Sequence, residues 1–206
     1  MSWLANILLI ILFFTVYAVF HSILASLVVK DWARRVFGPG VERGYRLAYN
    51  IIAVITLLPL LPLLAWLPDQ TLYVVPSPWR WLMVGGQLLA LVGLVVTLLQ
   101  TGLFQFLGLA QLTAERSNRP GKLNIGGFYG WVRHPLYFFS LLLLWLTPIM
   151  TLNLLVTYLL LSLYFYLGTF YEERRLLAEF GPAYRDYQQR VPRLIPLPFN
   201  RLKPEP

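Results

Sequence analysis

The sequence contains no cysteine, and only two of its 206 residues are histidine. The lack of cysteine excludes disulfides, thiolate metal sites and a thiol nucleophile, and no other metal-ligand spacing is present. Charge is also scarce, because 13% of the residues are charged and 58% are hydrophobic. Soluble domains carry about a quarter charged residues. We therefore identify the chain as an integral membrane protein.

The few charged residues are predominantly basic, and they give a net charge of +8. Basic residues of membrane proteins collect in cytoplasmic loops, so this charge does not indicate a nucleic-acid partner. Residues 30–46 contain five of the 17 basic residues, residues 108–134 contain four and residues 172–206 contain seven. The connection at 68–80 contains one. This distribution predicts a multi-pass arrangement with the N-terminus outside and the C-terminus in the cytoplasm.

Long apolar runs predict an all-α fold with about five transmembrane helices, because about 20 apolar residues cross a bilayer. An N-terminal region, 1–110, holds predicted helices at 3–29, 47–67 and 81–103. A C-terminal region, 111–206, holds predicted helices at 136–150 and 152–171, followed by a cytoplasmic helical tail at 172–206. Gly181-Pro182 is expected to break the tail helix.

Polar and small residues inside these runs are expected to support helix packing. Gly85, Gly86 and Gly93 offer small faces for close helix approach. Pro59 and Pro62 are expected to kink the second run. Gln87 and Gln100 are compatible with a cavity lining or with interhelical hydrogen bonds. For His21, a packing contact is favoured over a functional role, because a lone histidine in the membrane needs a partner.

The stretch from Gly126 to Tyr137 organises the C-terminal region. It places Arg133 and His134 just before a membrane helix, and Pro135 suits the first turn of that helix. An Arg-His pair at a helix N-terminus suits an anionic group or proton transfer. The alternative interpretation is a basic anchor at the membrane surface.

The short runs 136–150 and 152–171 predict a tight helical hairpin. Such a hairpin brings Arg133 and His134 close to Glu172 and Glu173, although the pairs are almost forty positions apart. A solvated helix start with local ion pairs is the alternative for these glutamates. The predicted cytoplasmic cluster comprises Tyr129, Arg133, His134, Tyr137, Glu172, Glu173, Tyr184, Tyr187, Arg190 and Arg193. Its carboxylates, guanidinium groups and rings suit a ligand with an ammonium, a carboxylate and an aromatic base.

Two motifs carry a family resemblance. Arg133-His134-Pro135-Leu136-Tyr137, preceded by Gly127, Tyr129 and Val132, resembles the signature of isoprenylcysteine carboxyl methyltransferases and phospholipid methyltransferases. The second motif comprises Glu172-Glu173-x-x-Leu176, Phe180-Gly181-x-x-Tyr184-x-x-Tyr187 and Arg190-Val191-Pro192. The N-terminal half is more similar to bacterial members such as methanethiol S-methyltransferases and NnrU-like proteins, and this similarity implies a location in the bacterial inner membrane.

This resemblance implies a membrane methyltransferase that binds S-adenosylmethionine on the cytoplasmic side. The cofactor-binding residues that it implies are Gly127, Tyr129, Val132, His134, Pro135, Tyr137, Glu172, Glu173, Tyr184, Tyr187, Arg190 and Arg193. A lipophilic or small membrane-permeant acceptor, with a thiol, carboxylate or amine, is expected to approach through the bilayer. A thiol or carboxyl acceptor must be ionised, and Arg133 or Arg46 is the candidate catalytic residue that favours the ionised form.

Two other functions are compatible with parts of the sequence. Membrane reductases of the sterol-reductase type share an Arg-His pair, a tyrosine and a closing Arg-Val-Pro, and they would bind NADPH. Pro135 and the Glu172-Glu173 pair argue against this class. The second alternative is a non-enzymatic scaffold or transport-associated protein, in which the cytoplasmic motifs only hold the chain together.

Overall fold

The computed structural model describes residues 3–113 and 123–196, which are predominantly helical. The helices are α1 (Trp3–Ala25), α2 (Leu27–Phe37), α3 (Val41–Leu57), α4 (Leu60–Trp66), α5 (Trp79–Thr101), α6 (Leu103–Leu107), α7 (Ala110–Thr113), α8 (Pro135–Trp145), α9 (Leu152–Phe180) and α10 (Pro182–Arg190). Two strands, β1 (Thr71–Val74) and β2 (Ile149–Thr151), and a 3₁₀ turn at Gly127–Gly130 complete the described elements.

Four helical segments are long and apolar enough to cross a membrane: α1, α3 with α4, α5 and α9. The chain is therefore a multi-pass helical membrane protein, as predicted. α8 is also apolar, but its 11 residues extend only about 16 Å. The kink predicted at Pro59 coincides with a break, because α3 ends at Leu57 and α4 begins at Leu60, whereas α4 continues through Pro62.

A small sheet adds to the predicted all-α architecture. β1 and β2 pair antiparallel, with Val74 opposite Ile149. The sequence predicts a loop over the β1 region, and it places residues 149–150 of β2 at the end of the predicted helix 136–150. Both segments are only three or four residues long and rich in residues that favour strands. They are too short to produce the alternating pattern that predicts a strand.

The described residues form two compact units. Within the described residues, the first comprises 3–74, 102–113 and 149–160, and the second comprises 75–101, 123–148 and 161–196. In the first unit, the His21 Nε2 atom is hydrogen-bonded to the Tyr49 hydroxyl, which joins α1 to α3. This contact confirms the packing interpretation of His21.

In the second unit, α5 packs closely against α8. A Cβ atom on Gly93 would lie 2.4 Å from the Phe139 ring, so this position admits only glycine without rearrangement. The Gln87 side-chain amide donates a hydrogen bond to the Leu143 carbonyl oxygen at 3.0 Å. The predicted close approach is thus confirmed at Gly93, and also at Gly86, where a Cβ atom would lie 2.8 Å from Leu146 Cδ1. A Cβ atom on Gly85 would meet nothing within 4 Å. The interhelical hydrogen bond of Gln87 is also confirmed.

The second unit also pairs α8 with the C-terminal part of α9. Trp145 Nε1 donates to Ser162 Oγ at 2.9 Å, and His134 Nε2 lies 3.2 Å from Glu173 Oε1. Trp145 lies eleven residues after His134, and Ser162 lies eleven residues before Glu173. Equal spacings in opposite chain directions are expected of antiparallel helices. The predicted approach of His134 to Glu173 is confirmed. The predicted break is also confirmed, because Gly181 has a φ of 55° between α9 and α10.

Candidate active site

The loop that carries Arg133 and His134 is fixed by the end of α5. Gly127 has a φ of 59°, and a Cβ atom there would lie 2.1 Å from Gln100 Nε2. The Gln100 side-chain oxygen accepts a hydrogen bond from the Phe128 backbone N–H at 3.3 Å. The Thr101 and Tyr129 hydroxyls lie 2.8 Å apart. The glycine therefore allows the turn to seat directly on the α5 terminus.

Glu173 on α9 lies at the centre of a buried cluster of charged groups. Its side chain is buried, with 5% of the residue surface exposed. Glu173 Oε1 accepts from Arg133 Nε and Nη2 at 2.9 and 2.8 Å, and from Arg193 Nε at 3.2 Å. Oε2 accepts from Gln188 Nε2 and Arg193 Nη2, both at 3.0 Å. We call Arg133, His134, Glu173, Gln188 and Arg193 the Glu173 cluster.

Arg133 also holds the segment that follows α10. Its Nη1 atom donates to the carbonyl oxygens of Gln188 and Val191 at 2.7 and 2.8 Å. Its backbone N–H donates to the Pro192 carbonyl oxygen at 2.9 Å. Arg133 therefore connects the loop before α8 to α9 and to the C-terminal segment, and most of its guanidinium donors are engaged within the protein.

His134 lies between two carboxylates. Its Nδ1 atom is 3.3 Å from Glu172 Oε2, and its Nε2 atom is 3.2 Å from Glu173 Oε1. Its ring stacks on Tyr137, which in turn stacks on Phe165. Burial alone would lower the pKa of His134, but the hydrogen bonds and charges of Glu172 and Glu173 together raise it above the usual value. The ring therefore favours the protonated form, which donates to both carboxylates.

This environment predicts a pH dependence of stability. Because the pKa of folded His134 lies above its ordinary value of 6.5, the protonated ring stabilises the fold fully below that pH. The stabilisation is lost as the pH rises through the higher pKa of the folded state. We expect the difference in thermal unfolding midpoint between the natural protein and His134→Gln to shrink across a rising pH series. A constant difference would contradict a protonated His134.

Glu172 differs from Glu173 in its surroundings. The Glu172 side chain is 37% exposed. Its carboxylate contacts His134 Nδ1 and the Tyr137 hydroxyl and lies near the charge of Arg175. The side chain is therefore partly accessible to a ligand, whereas the Glu173 carboxylate is enclosed by protein donors.

Two tyrosines of α10 are buried beside the Glu173 cluster. Tyr184, Tyr187 and Val191 are buried together against the last turns of α9. The Tyr187 hydroxyl donates to the Tyr129 carbonyl oxygen at 2.6 Å. Tyr184 is buried, with 1% of the residue surface exposed. Its hydroxyl has no hydrogen-bond partner among the described residues. Burial raises the pKa of both phenols, so both remain neutral donors.

The structure brings most of the predicted residues into one unit. Gly127, Tyr129, Val132, Arg133, His134, Pro135, Tyr137, Glu172, Glu173, Tyr184, Tyr187, Arg190 and Arg193 all belong to the second unit. Val132 and Pro135 are buried packing residues, and Arg190 pairs with Asp186 on the exposed side of α10. Arg46 belongs to the first unit. Gln188 was not among the predicted site residues, although it lies one helical turn after Tyr184 on the buried side of α10.

Comparisons with known proteins cover nearly the whole chain. The family model described as "Protein of unknown function (DUF1295)" matches residues 34–191. The methanethiol S-methyltransferase of Pseudomonas deceptionensis is 35% identical over 202 residues, covering 95% of this chain and 74% of that protein. The methanethiol S-methyltransferase of Crocosphaera subtropica is 31% identical over 191 residues, covering 88% and 71%. No solved structure gives a significant match.

Proposed function

Because this chain belongs to the DUF1295 family and is a membrane methyltransferase related to the methanethiol S-methyltransferases, we propose that it methylates a small thiol with S-adenosylmethionine as donor. The similarity over 95% of the chain is the observation that carries this proposal. The sequence left thiol, carboxylate and amine acceptors open, and the names of the relatives favour the thiol. The relatives favour neither the NADPH-dependent reductase nor the scaffold.

The side chains available at this site fit S-adenosylmethionine. The partly exposed carboxylate of Glu172 suits the ammonium group of S-adenosylmethionine. Arg193 is partly exposed and lies with its Cζ atom 4.0 Å from the centre of the Phe170 ring, and its guanidinium suits the carboxylate of the donor. The buried Tyr184 hydroxyl without a described partner offers one further polar group. We therefore propose Glu172, Arg193 and Tyr184 as the residues that hold the donor.

S-adenosylmethionine, when bound, supplies a methyl group on a sulfonium whose positive charge disappears in the transfer. The protein's own part is positioning and exclusion of water. The Glu173 cluster holds the loop, α9 and the C-terminal segment in one arrangement. The stacked rings of His134, Tyr137 and Phe165 give the site an apolar wall beside Glu172.

The roles of the other predicted residues follow from their contacts. Arg133 was a candidate for activating the acceptor, but its contacts with Glu173, Gln188 and Val191 support a positioning role. Its raised pKa makes His134 a poor general base, which supports the same role for His134. Arg46 remains a prediction for the acceptor side.

We also propose the membrane arrangement predicted from the sequence. In this arrangement α8 is a short fifth membrane segment. The basic connections and the C-terminal tail face the cytoplasm, with the donor site on that side. This places the donor in the compartment where it is made and leaves the bilayer as the route for an apolar thiol.

The test is transfer of a labelled methyl group by the purified full-length protein in lipid nanodiscs. We expect labelled product with methanethiol, and we expect calorimetric titration to show binding of S-adenosylhomocysteine that is lost in His134→Ala. Exposed Glu179 provides the control, because Glu179→Ala should change neither result. Transfer only to a carboxylate or an amine would overturn the acceptor, and binding of NADPH alone would overturn the reaction class.

A further inference from the structure

Helix α2 is held between two candidate membrane spans by short links. It lies between the candidate spans Trp3–Ala25 and Val41–Trp66. Only Ser26 separates it from α1, and only residues 38–40 separate it from α3. The Ser26 hydroxyl oxygen accepts from the Val29 backbone N–H and caps the new helix. With links this short, α2 cannot move away from the bilayer face where α1 ends and α3 begins.

One side of α2 is an exposed apolar stripe. Val28, Trp32 and Val36 follow one another at intervals of four residues and are 78%, 57% and 56% exposed. Residues four apart lie on the same helix face. Ala33, on a different face, is the buried residue of the helix. The stripe therefore faces away from the rest of the first unit.

The charged residues of α2 are predominantly basic. It carries Lys30, Arg34 and Arg35, against a single acid, Asp31. Arg34 pairs with Glu42 at the start of α3 at 3.1 Å and is half exposed. Arg35 is exposed beside the stripe and has no described side-chain partner. An open surface cavity of about 390 Å³ is lined by Asp31, both arginines and Pro39.

We propose that α2 is an interfacial helix that binds acidic phospholipids of the surrounding membrane. The Val28–Trp32–Val36 stripe lies at the level of the acyl chains, and the Arg34 and Arg35 guanidinium groups contact a headgroup phosphate. An apolar stripe flanked by arginine and lysine is the arrangement that holds a helix in the plane of an anionic interface. Acidic rather than zwitterionic lipid is favoured because residues 27–46 contain five basic and two acidic residues, a net charge of +3.

The absence of cysteine from the chain permits a scan with a single spin label at each position of α2 except Ala33. The full-length protein is reconstituted in vesicles of phosphatidylcholine with phosphatidylglycerol. We expect accessibility to oxygen to peak at positions 28, 32 and 36, and accessibility to a water-soluble nickel complex to peak at Asp31 and Arg34. Equal nickel accessibility at the stripe and at Arg34 would overturn the interfacial placement.

Lipid selectivity is then measured with a fluorophore on Val28→Cys and brominated lipids as quenchers. We expect brominated phosphatidylglycerol to quench several-fold more effectively than brominated phosphatidylcholine. Arg35→Gln should reduce this selectivity roughly fivefold, since each surface cation contributes about that factor. Arg185→Gln removes the same charge from an exposed site on α10 and should leave the selectivity unchanged.

Three outcomes of this measurement would overturn the proposal. The first is equal quenching by the two lipids in the protein with Arg35 intact. The second is an equal loss of selectivity in Arg35→Gln and Arg185→Gln, which would indicate an effect of net charge alone. The third is displacement of the acidic lipid by millimolar inorganic phosphate, which would indicate a site for the free anion.

Discussion

Glu173→Gln is expected to lower the free energy of unfolding by about 3–5 kcal/mol, because it leaves buried cations without their counter-charge. The Glu173 carboxylate accepts from both Arg133 and Arg193, and it also faces His134. A neutral amide cannot accept from all of these donors, and its own NH₂ group would face guanidinium nitrogens. The loop, α9 and the C-terminal segment would then lose their common contact, and donor binding should be lost with it.

Chemical unfolding in mixed micelles, followed by tryptophan fluorescence, measures this loss. Glu179→Gln is the matched control, because it makes the same change at an exposed position of α9 and should alter stability by less than about 0.5 kcal/mol. A double-mutant cycle with Arg193→Gln measures how much of the loss comes from the contact between Glu173 and Arg193 rather than from an unrelated effect of the substitution. We expect the double variant to be less destabilised than the sum of the single variants. Additive losses, or a Glu173→Gln protein of unchanged stability, would contradict the central role of Glu173.

Much of this cluster was predictable from the chain. The two short apolar runs required a hairpin, and the hairpin required the Arg133-His134 pair to approach Glu172-Glu173. Gly181-Pro182 required a break, because a glycine followed by a proline ends a helix. The structure confirms the approach of the two pairs and the break at Gly181. The turn is less tight than predicted, because residues 149–151 form β2 and Trp145 contacts Ser162 rather than the start of α9.

The division of roles between the two glutamates was not predictable. Neighbouring residues on a helix point about 100° apart, so one of the pair must face the protein core more than the other. Which one does so depends on how α9 is rotated against α8, and packing along the whole hairpin sets that rotation. The contribution of Gln188 was hidden for a related reason, because a glutamine on a polar helix carries no sequence signal of burial.

The exposure of Glu172 leads to the opposite expectation for its substitution. Glu172→Gln should weaken binding of S-adenosylhomocysteine roughly 10- to 100-fold, because a charge-assisted hydrogen bond to the ammonium is lost. Its effect on the free energy of unfolding should stay within about 1 kcal/mol, since partly exposed ion pairs contribute little to stability. The two substitutions make the same change of charge one residue apart. Glu172→Gln should thus affect binding alone, whereas Glu173→Gln should affect both stability and binding.

Calorimetric titration of the folded Glu172→Gln protein provides the measurement, with unfolding in mixed micelles recorded on the same preparation. Glu179→Gln again serves as the control, because residue 179 lies about two helical turns beyond Glu172 on nearly the same side of α9. Unchanged binding in Glu172→Gln would remove Glu172 from the donor site. A loss of stability as large as that of Glu173→Gln would show that both glutamates only hold the fold. Weakened binding in a stable protein would instead assign the ammonium contact to the exposed carboxylate and the structural role to the buried one.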